Sequence, residues 1–434
     1  MPSVTPFRAL RPRKDIADKF CALPYDVYNR QEAKEVVSKN PLSFLGIDRA
    51  ETSFEDSVDT YAPEVYAMAK EMLNDRIKEG VLIREDKPCF YIYELTMDGR
   101  SQTGIVACSS VDDYVSGRIR KHENTREEKE IDRIKHVDTT NAHTGPIFLI
   151  YRARKELKEI IDQVKSVKDP LYDFVSEDGI GHRAYIIDDA SAILKIEEIF
   201  KNIDYTYIAD GHHRCASAAK VGIMRRKKAE AKGTYKGTEG YNRFLSVLFS
   251  DDELMIMPYN RVVKDLNGLS KEDFLARIKD AGFTVSELSD ALGDRHGDSV
   301  SDTEYDRSVS PAKKGTFSMF IEDKWYLLTA SSEIMSTDPV KGLDVSVLQD
   351  NLLGPVLGIE DPRTDKRIDF VGGIRGNKEL ERRCHNDMKL AFSMYPTSIE
   401  ELLKVADANL LMPPKSTWFE PKLRSGMFIH DLND

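Results

Sequence analysis

The chain has 434 residues, enough for two or three domains with sizeable cores. Its 63 lysines and arginines against 74 aspartates and glutamates leave a net charge of −11, which excludes a general binder of nucleic acid or anionic membrane and confines any anion site to a local basic pocket. Five widely spaced cysteines form no CxxC pair and no apolar run is long enough to span a membrane, so the expectation is a cytoplasmic protein with reduced thiols, no membrane partner and no nucleic-acid partner.

Residues 1–30 read as irregular, with Pro24 holding Leu23 extended. Arg11, Tyr25 and Asp26 are candidates to face a site. A helix is expected over 31–40, stopped by Asn40-Pro41. A second is expected over 61–79, where Tyr66, Ala69, Met72, Leu73 and Ile77 share helical spacing. Residues 89–95 and 103–110 read as strands joined by a hairpin turn at Asp98-Gly99.

The segment 118–129 (RIRKHENTREEK) is the first with chemistry in it. Thr125 and Glu128 have capping-box spacing, and Ile131, Ile134 and Val137 then mark a helical stripe expected to be buried. Lys121, His122, Glu123 and Asn124 therefore precede a helix start, and Arg126 and Lys129 share a face. A carboxylate among cations suits a general base for a hydroxyl; the alternative is a solvated, charge-mixed helix. A turn-rich loop (141–146) leads to a strand over 147–151. A helix over 155–165, a hairpin over 176–187 turning at Asp178-Gly179 and a helix over 192–200 follow.

Residues 205–219 (YTYIADGHHRCASAA) pass from an apolar strand through a polar hinge into a small-residue helix. The amides and dipole of such a helix start favour an anion. Gly211 permits close backbone approach, and Arg214 offers a planar fork for phosphate. Asp210 suits holding a cation or accepting a proton. Cys215 reads as a small packing residue rather than a nucleophile, and basic 225–242 as a solvated helix end and loop.

Beyond this point strands are expected at 244–249 and 254–257, a turn at 258–261, a helix at 271–281 and a solvated linker over 285–315. A hairpin around Glu322-Asp323, a helix over 345–353, a strand ending at Gly372-Gly373 and helices at 379–383 and 399–406 complete the body. The tail 412–426 (MPPKSTWFEPKLRSG) carries three prolines that forbid regular structure, yet Trp418 and Phe419 sit among Lys415, Lys422 and Arg424. An ordered lasso is expected, anchored by its aromatics, with cations and hydroxyls toward a cleft.

Four motifs together, Asp210-Gly-His-His-Arg214, Lys121-His-Glu-Asn-Thr125, Pro24-Tyr-Asp-Val27 and the 412–422 run, make the chain resemble a family long catalogued as a domain of unknown function. That family is related to ParB/sulfiredoxin-like proteins, which share the Asp-Gly-x-His-Arg turn, and to free L-serine kinases on that fold. The resemblance implies an α+β fold with a ParB/sulfiredoxin-like mixed core elaborated by further α/β segments. It also implies a phosphotransferase making O-phospho-L-serine, with pyrophosphate as donor and ADP or ATP as the other options. No Walker A pattern and no kinase HRD or DFG set is present in the sequence.

The resulting expectations are specific. Residues 1–100 form an N-terminal α/β segment, 101–250 the catalytic core, 251–400 a C-terminal α/β domain and 401–434 a tail over the active site. Glu123 is the base, and Asp210 is catalytic and holds Mg²⁺. Gly211, His212, His213, Arg214, Arg126 and Lys129 bind donor phosphate. Asn124, Thr125, Lys415, Ser416, Thr417 and Arg424 bind the substrate, L-serine. The competing readings are a ParB-like nucleotide-dependent DNA-binding protein and a metal-dependent phosphatase or nuclease built on Asp210 and the histidines.

Overall fold

The computed structural model describes residues 2–288 and 302–434. The chain divides into two compact units, Met1–Leu254 with Pro421–Asp434, and Met255–Glu420. Both units mix helices and sheets, so the fold is α+β. The unit boundary at 254/255 lies close to the expected cut at 250, but a hairpin crosses residue 100 and the last fourteen residues return to the first unit.

The first unit begins with strands β1 (Val4–Thr5) and β2 (Leu10–Pro12) and helices α1 (Ala17–Phe20), α2 (Arg30–Lys39), α3 (Leu45–Asp48) and α4 (Pro63–Lys78). Asn29 and Glu32 form a true capping box on α2, and Pro63 starts α4 where no amide partner is needed. Strands β3 (Leu82–Arg84), β4 (Phe90–Met97) and β5 (Arg100–Ser110) follow. Asp98 and Gly99 both have positive φ (51° and 77°), the geometry of a tight hairpin whose twist matches its strands. Then come α5 (Val111–Val115), β6 (Ile119–Arg120), α6 (Glu127–Thr140), β7 (Ala142–His143), β8 (Ile147–Tyr151) and α7 (Lys155–Val167). The unit continues with β9 (Tyr172–Val175), β10 (Gly181–Ile187), α8 (Ala190–Lys201), β11 (Thr206–Asp210), α9 (His212–Ala231) and β12 (Arg243–Ser250).

Its main sheet runs β6-β11-β8-β12-β5-β4-β10-β9, with β1 added on β5. Two pairs are parallel, β6 with β11 and β8 with β12; the rest are antiparallel. One register matters for function. Ile119 lies beside Thr206 and Arg120 beside Tyr207, so the chain leaves both strands in the same direction at neighbouring points. The two charged motifs thus emerge together at the carboxyl ends of parallel strands, the place where open sheets hold ligands. The register of β11 on β8 also shifts between Ile208 and Asp210, a bulge that re-aims the aspartate. An apolar cluster including Ile105, Leu149, Leu157, Ile196 and Leu248 backs the sheet.

Helix α6 departs from expectation. Its N-cap is Arg126, with no side-chain cap, because the Thr125 hydroxyl is taken by Glu130 instead of a backbone amide. Ile131 is 45% exposed, and the buried face is Glu130, Asp132, Arg133, His136, Val137 and Thr140.

The second unit has strands β13 (Ile256–Met257), β14 (Tyr259–Val263), β15 (Phe283–Glu287), β16 (Thr316–Ile321), β17 (Lys324–Ala330), β18 (Ile368–Gly372) and β19 (Leu390–Met394). Its sheet runs β15-β17-β16-β19-β14-β18, all pairs antiparallel. The turn expected at 258–261 is therefore mostly strand, hydrogen-bonded on both sides by β18 and β19. The linker expected over 285–315 begins in β15 and contains a helix, Asp302–Val309, packed through Val309 against Leu380 and Trp325; residues 289–301 of it lie outside the described residues. Trp418–Phe419 pairs with Ile256–Met257, so the aromatics of the tail anchor it within this unit.

Candidate functional site

The polar hinge after β11 is organised by Gly211. It stands in the left-handed region at φ 90° as the N-cap of α9, and a side chain there would meet the Arg214 guanidinium at 3.0 Å. Its amide donates to Asp210 Oδ1 at 2.9 Å. The other Asp210 oxygen faces two cations, Lys422 Nζ at 3.3 Å and Arg214 at 3.7 Å. Burial pushes the Asp210 carboxyl up, but Lys422 and Arg214 outweigh it and hold the group well below the usual carboxylate range. Arg214 is itself braced, donating to the Pro146 carbonyl at 2.6 Å. It stiffens the turn as well as charging it.

Behind the turn sit two buried histidines. The rings of His122 and His212 meet edge to face at 4.5 Å. Burial pushes His122 down to about 4, with Asp210 opposing, and burial and then His122 lower His212 well below its ordinary value. Both are uncharged at neutral pH. Among the described residues His122 Nδ1 and His212 Nε2 have no hydrogen-bond partner, while His212 Nδ1 lies 3.8 Å from Glu123 Oε2. Glu123 thus stands half-exposed beside a neutral ring at the start of the α6 approach. His213 Nε2 accepts the Arg126 amide at 2.9 Å, which ties the start of α6 to the start of α9. Burial and the nearby Lys129 lower its proton affinity. Serine 217 completes the junction by donating to the Glu130 carbonyl at 3.1 Å.

The structure therefore brings Glu123, Asp210, Gly211, His212, His213, Arg214, Arg126 and Lys129 to one edge of the sheet. Asn124 is exposed beside them, and Thr125 is spent on Glu130. Arg424 goes elsewhere. It is buried, donates to both Asp178 oxygens at 2.6 Å and reaches His182 at 3.2 Å, so its charge is consumed in an ion pair. Lys415, Ser416 and Thr417 belong to the second unit: the Lys415 ammonium lies over the Tyr259 ring at 5.2 Å, Ser416 Oγ donates to the Pro413 carbonyl at 2.6 Å, and Thr417 is half-buried. Arg11 pairs with Glu85 and does not face the turn.

Tyr25 was expected to face a site and Lys422 was one of the tail cations, but Asp48 on α3 and Asp132, Arg133 and His136 on α6 were not singled out by sequence. Lys422, not Lys415 or Arg424, is the tail cation that reaches Asp210. Tyr25, from the Pro24-Tyr-Asp-Val27 motif, lies under the Arg133 guanidinium, 3.9 Å from its ring centre, and also feels Arg214. Arg133, Asp132, His136 and Asp48 line a recess beside it. The signal for these was the anomalous composition of one helical face, where charges fall at the spacing of Val137.

For a metal, Asp210 is the carboxylate in place. Among the described residues no group of three His, Cys, Asp or Glu side chains is arranged to hold an ion. Asp210 Oδ1 accepts the Gly211 amide and Oδ2 faces Lys422 and Arg214, so a cation there would share the carboxylate with these side chains.

Among the described residues no helix is long and apolar enough to cross a membrane. No curated protein matches the chain. Among solved structures, a free serine kinase in complex with AMP is 15% identical, covering 73% of this chain and 86% of its own, with a TM-score of 0.32. A conserved hypothetical protein from Pyrococcus furiosus is 14% identical over 74% of this chain and 93% of its own, TM-score 0.31. SbnI with C-terminal truncation, from Staphylococcus aureus, is 10% identical over 73% and 82%, TM-score 0.35. The family model described as a protein of unknown function, DUF1015, matches residues 4–346, a span that holds the Tyr25, Glu123 and Asp210 motifs and ends before the tail. The chain belongs to the DUF1015 family.

Proposed function

We propose that the protein is a small-molecule kinase that phosphorylates the hydroxyl of free L-serine to give O-phospho-L-serine, with pyrophosphate as the donor. The observation that supports it is the pairing of a half-exposed carboxylate, Glu123, with a helix N-terminus and its cations in one cleft. A phosphoryl transfer to an alcohol needs these two things: a base for the hydroxyl proton and fixed positive charge for the phosphates.

Glu123 accepts the hydroxyl proton. His212, kept neutral by burial, orients that carboxylate without discharging it. The donor phosphates lie at the α9 start, where the first amides have no intrahelical acceptor. Lys422, Arg214, Arg126 and Lys129 offset their charge. Mg²⁺ bound at Asp210 and shared with donor oxygens would neutralise charge that develops on the transferred group. A short, highly charged donor suits a cleft whose walls are cationic side chains and amides.

The experiment is an incubation of protein with L-serine, Mg²⁺ and pyrophosphate, ADP or ATP in turn, with phosphoserine read by mass spectrometry. Product with pyrophosphate is expected. Product with ADP or ATP alone would correct the donor, and no product with any of the three would sink the reading.

A further inference from the structure

Next to the motif turn, α4, α6 and the segment from Tyr25 to Glu51 enclose a cavity of about 190 Å³. That is below the 300 Å³ or so at which drug-sized ligand sites begin, so the space admits a molecule of a few heavy atoms and not a nucleotide. Its inner wall is charged. Asp48, Glu51 and Asp132 are all at least nine-tenths buried, as is Arg133, and Arg49 is nearly so. Three carboxylates thus meet two guanidinium groups. On the rim, Asp26 and Lys129 offset one another.

The excess negative charge falls on Asp48 and Asp132, which share the Arg133 guanidinium. Arg49 pairs with Glu51. Arg133 donates to Asp132 Oδ2 at 2.8 Å, and Tyr66 donates to Asp132 Oδ1 at 2.9 Å. Asp48, 5% exposed, accepts the Thr144 hydroxyl on Oδ1 at 2.9 Å. His136 is 4.0 Å from that same oxygen and is kept neutral by burial and by Arg133. Arg133 thus faces two carboxylates, Asp132 and Asp48, with one positive charge. A cation with N–H donors in the cavity would offset the remainder.

We propose that this cavity binds the α-ammonium group of the acceptor amino acid, with Asp48 as its counter-charge. This deepens the kinase reading and rests on it for the identity of the acceptor. It also gives the Pro24-Tyr-Asp-Val27 motif a task, since Tyr25 and Asp26 form the wall between the cavity and the turn.

The test is calorimetric binding to the intact protein without any phosphoryl donor. L-serine and L-alanine carry the ammonium group; 3-hydroxypropionate carries the hydroxyl and carboxylate only. Serine and alanine are expected to bind within about tenfold of each other and 3-hydroxypropionate at least about a hundredfold more weakly, because a site built to hydrogen-bond a group rejects the analogue that lacks it. Asp48→Asn, which keeps the acceptor for Thr144, is expected to weaken serine binding by about a hundredfold. A melting curve on that variant separates lost binding from lost folding, and the ligand series on the unmodified protein stands without it. Equal binding of 3-hydroxypropionate, or saturation by potassium or ammonium chloride alone, overturns the proposal. The two readings fail separately. Serine binding with no phosphoserine formed sinks the kinase and leaves the pocket. Phosphoserine formed at an unchanged KM for serine by Asp48→Asn sinks the pocket and leaves the kinase.

Discussion

Helices α6 and α7 are neighbours in sequence and opposites in burial. Helix α7 hides Leu157, Ile160, Ile161 and Val164 and shows its charges to water. Helix α6 hides Glu130, Asp132, Arg133 and His136 and leaves Ile131 outside. One helix is held by apolar area removed from water; the other trades that gain for a lattice of ion pairs and hydrogen bonds.

The largest test of that contrast is Arg133→Ala. It leaves Asp132 and Asp48 facing each other without their shared guanidinium, and loss of one partner from a buried ion pair costs about 3–5 kcal/mol. Denaturant unfolding measures it, and a loss under 1 kcal/mol would show that α6 is not held by its charges. Leu157→Ala on α7 is expected to cost about 2–5 kcal/mol by leaving a cavity in the sheet core, while serine binding by the surviving folded protein is unchanged. A parallel loss of affinity would mean the two helices are not separate in role.

Next in size is a pH effect from the histidine pair. His122 titrates near 4 in the folded chain against about 6.5 when unfolded, because burial disfavours its charge. Below 6.5 the unfolded chain therefore binds a proton that the folded chain refuses. Stability is full above that pH and falls by about 3 kcal/mol as pH drops from 6.5 to 4. The unfolding free energy of His122→Gln is expected to lack that part of the acid slope; an identical slope in both proteins would contradict the assignment. The smallest effect is at Ile131→Lys, which is expected to stay within about 0.5 kcal/mol because the side chain is already exposed. A large loss there would restore the apolar stripe that the sequence suggests.

Much of the framework was legible because its signals are local. The Asp98-Gly99 and Glu322-Asp323 hairpins carry their own positive-φ residues, and Asp210-Gly211 announces a strand, a left-handed residue and a helix in five positions. The family resemblance rests on such local runs too. What stayed hidden depends on distance in the chain. Strand β6 is two residues long, so nothing local shows that it lies parallel to β11 and delivers Glu123 to His212. Reading Ile131 as buried follows from counting apolar residues alone, and that count is blind to a helix whose partners are Tyr66, Asp48 and Tyr25. In the tail, Lys415 and Arg424 were assigned to the substrate and Lys422 was not; the fold puts Lys422 at Asp210, locks Arg424 on Asp178 and sets Lys415 over Tyr259. Strand β19 was missed outright, since Leu390–Met394 is a short apolar run with no turn residues of its own to mark its ends.

The account turns on Glu123 being the base of the cleft. The direct measurement is phosphoserine formation by the unmodified protein and by Glu123→Gln under the same L-serine, Mg²⁺ and pyrophosphate. A fall in turnover of about a hundredfold or more, at unchanged melting temperature, is expected for a positioned general base. Near-full turnover by Glu123→Gln would contradict it.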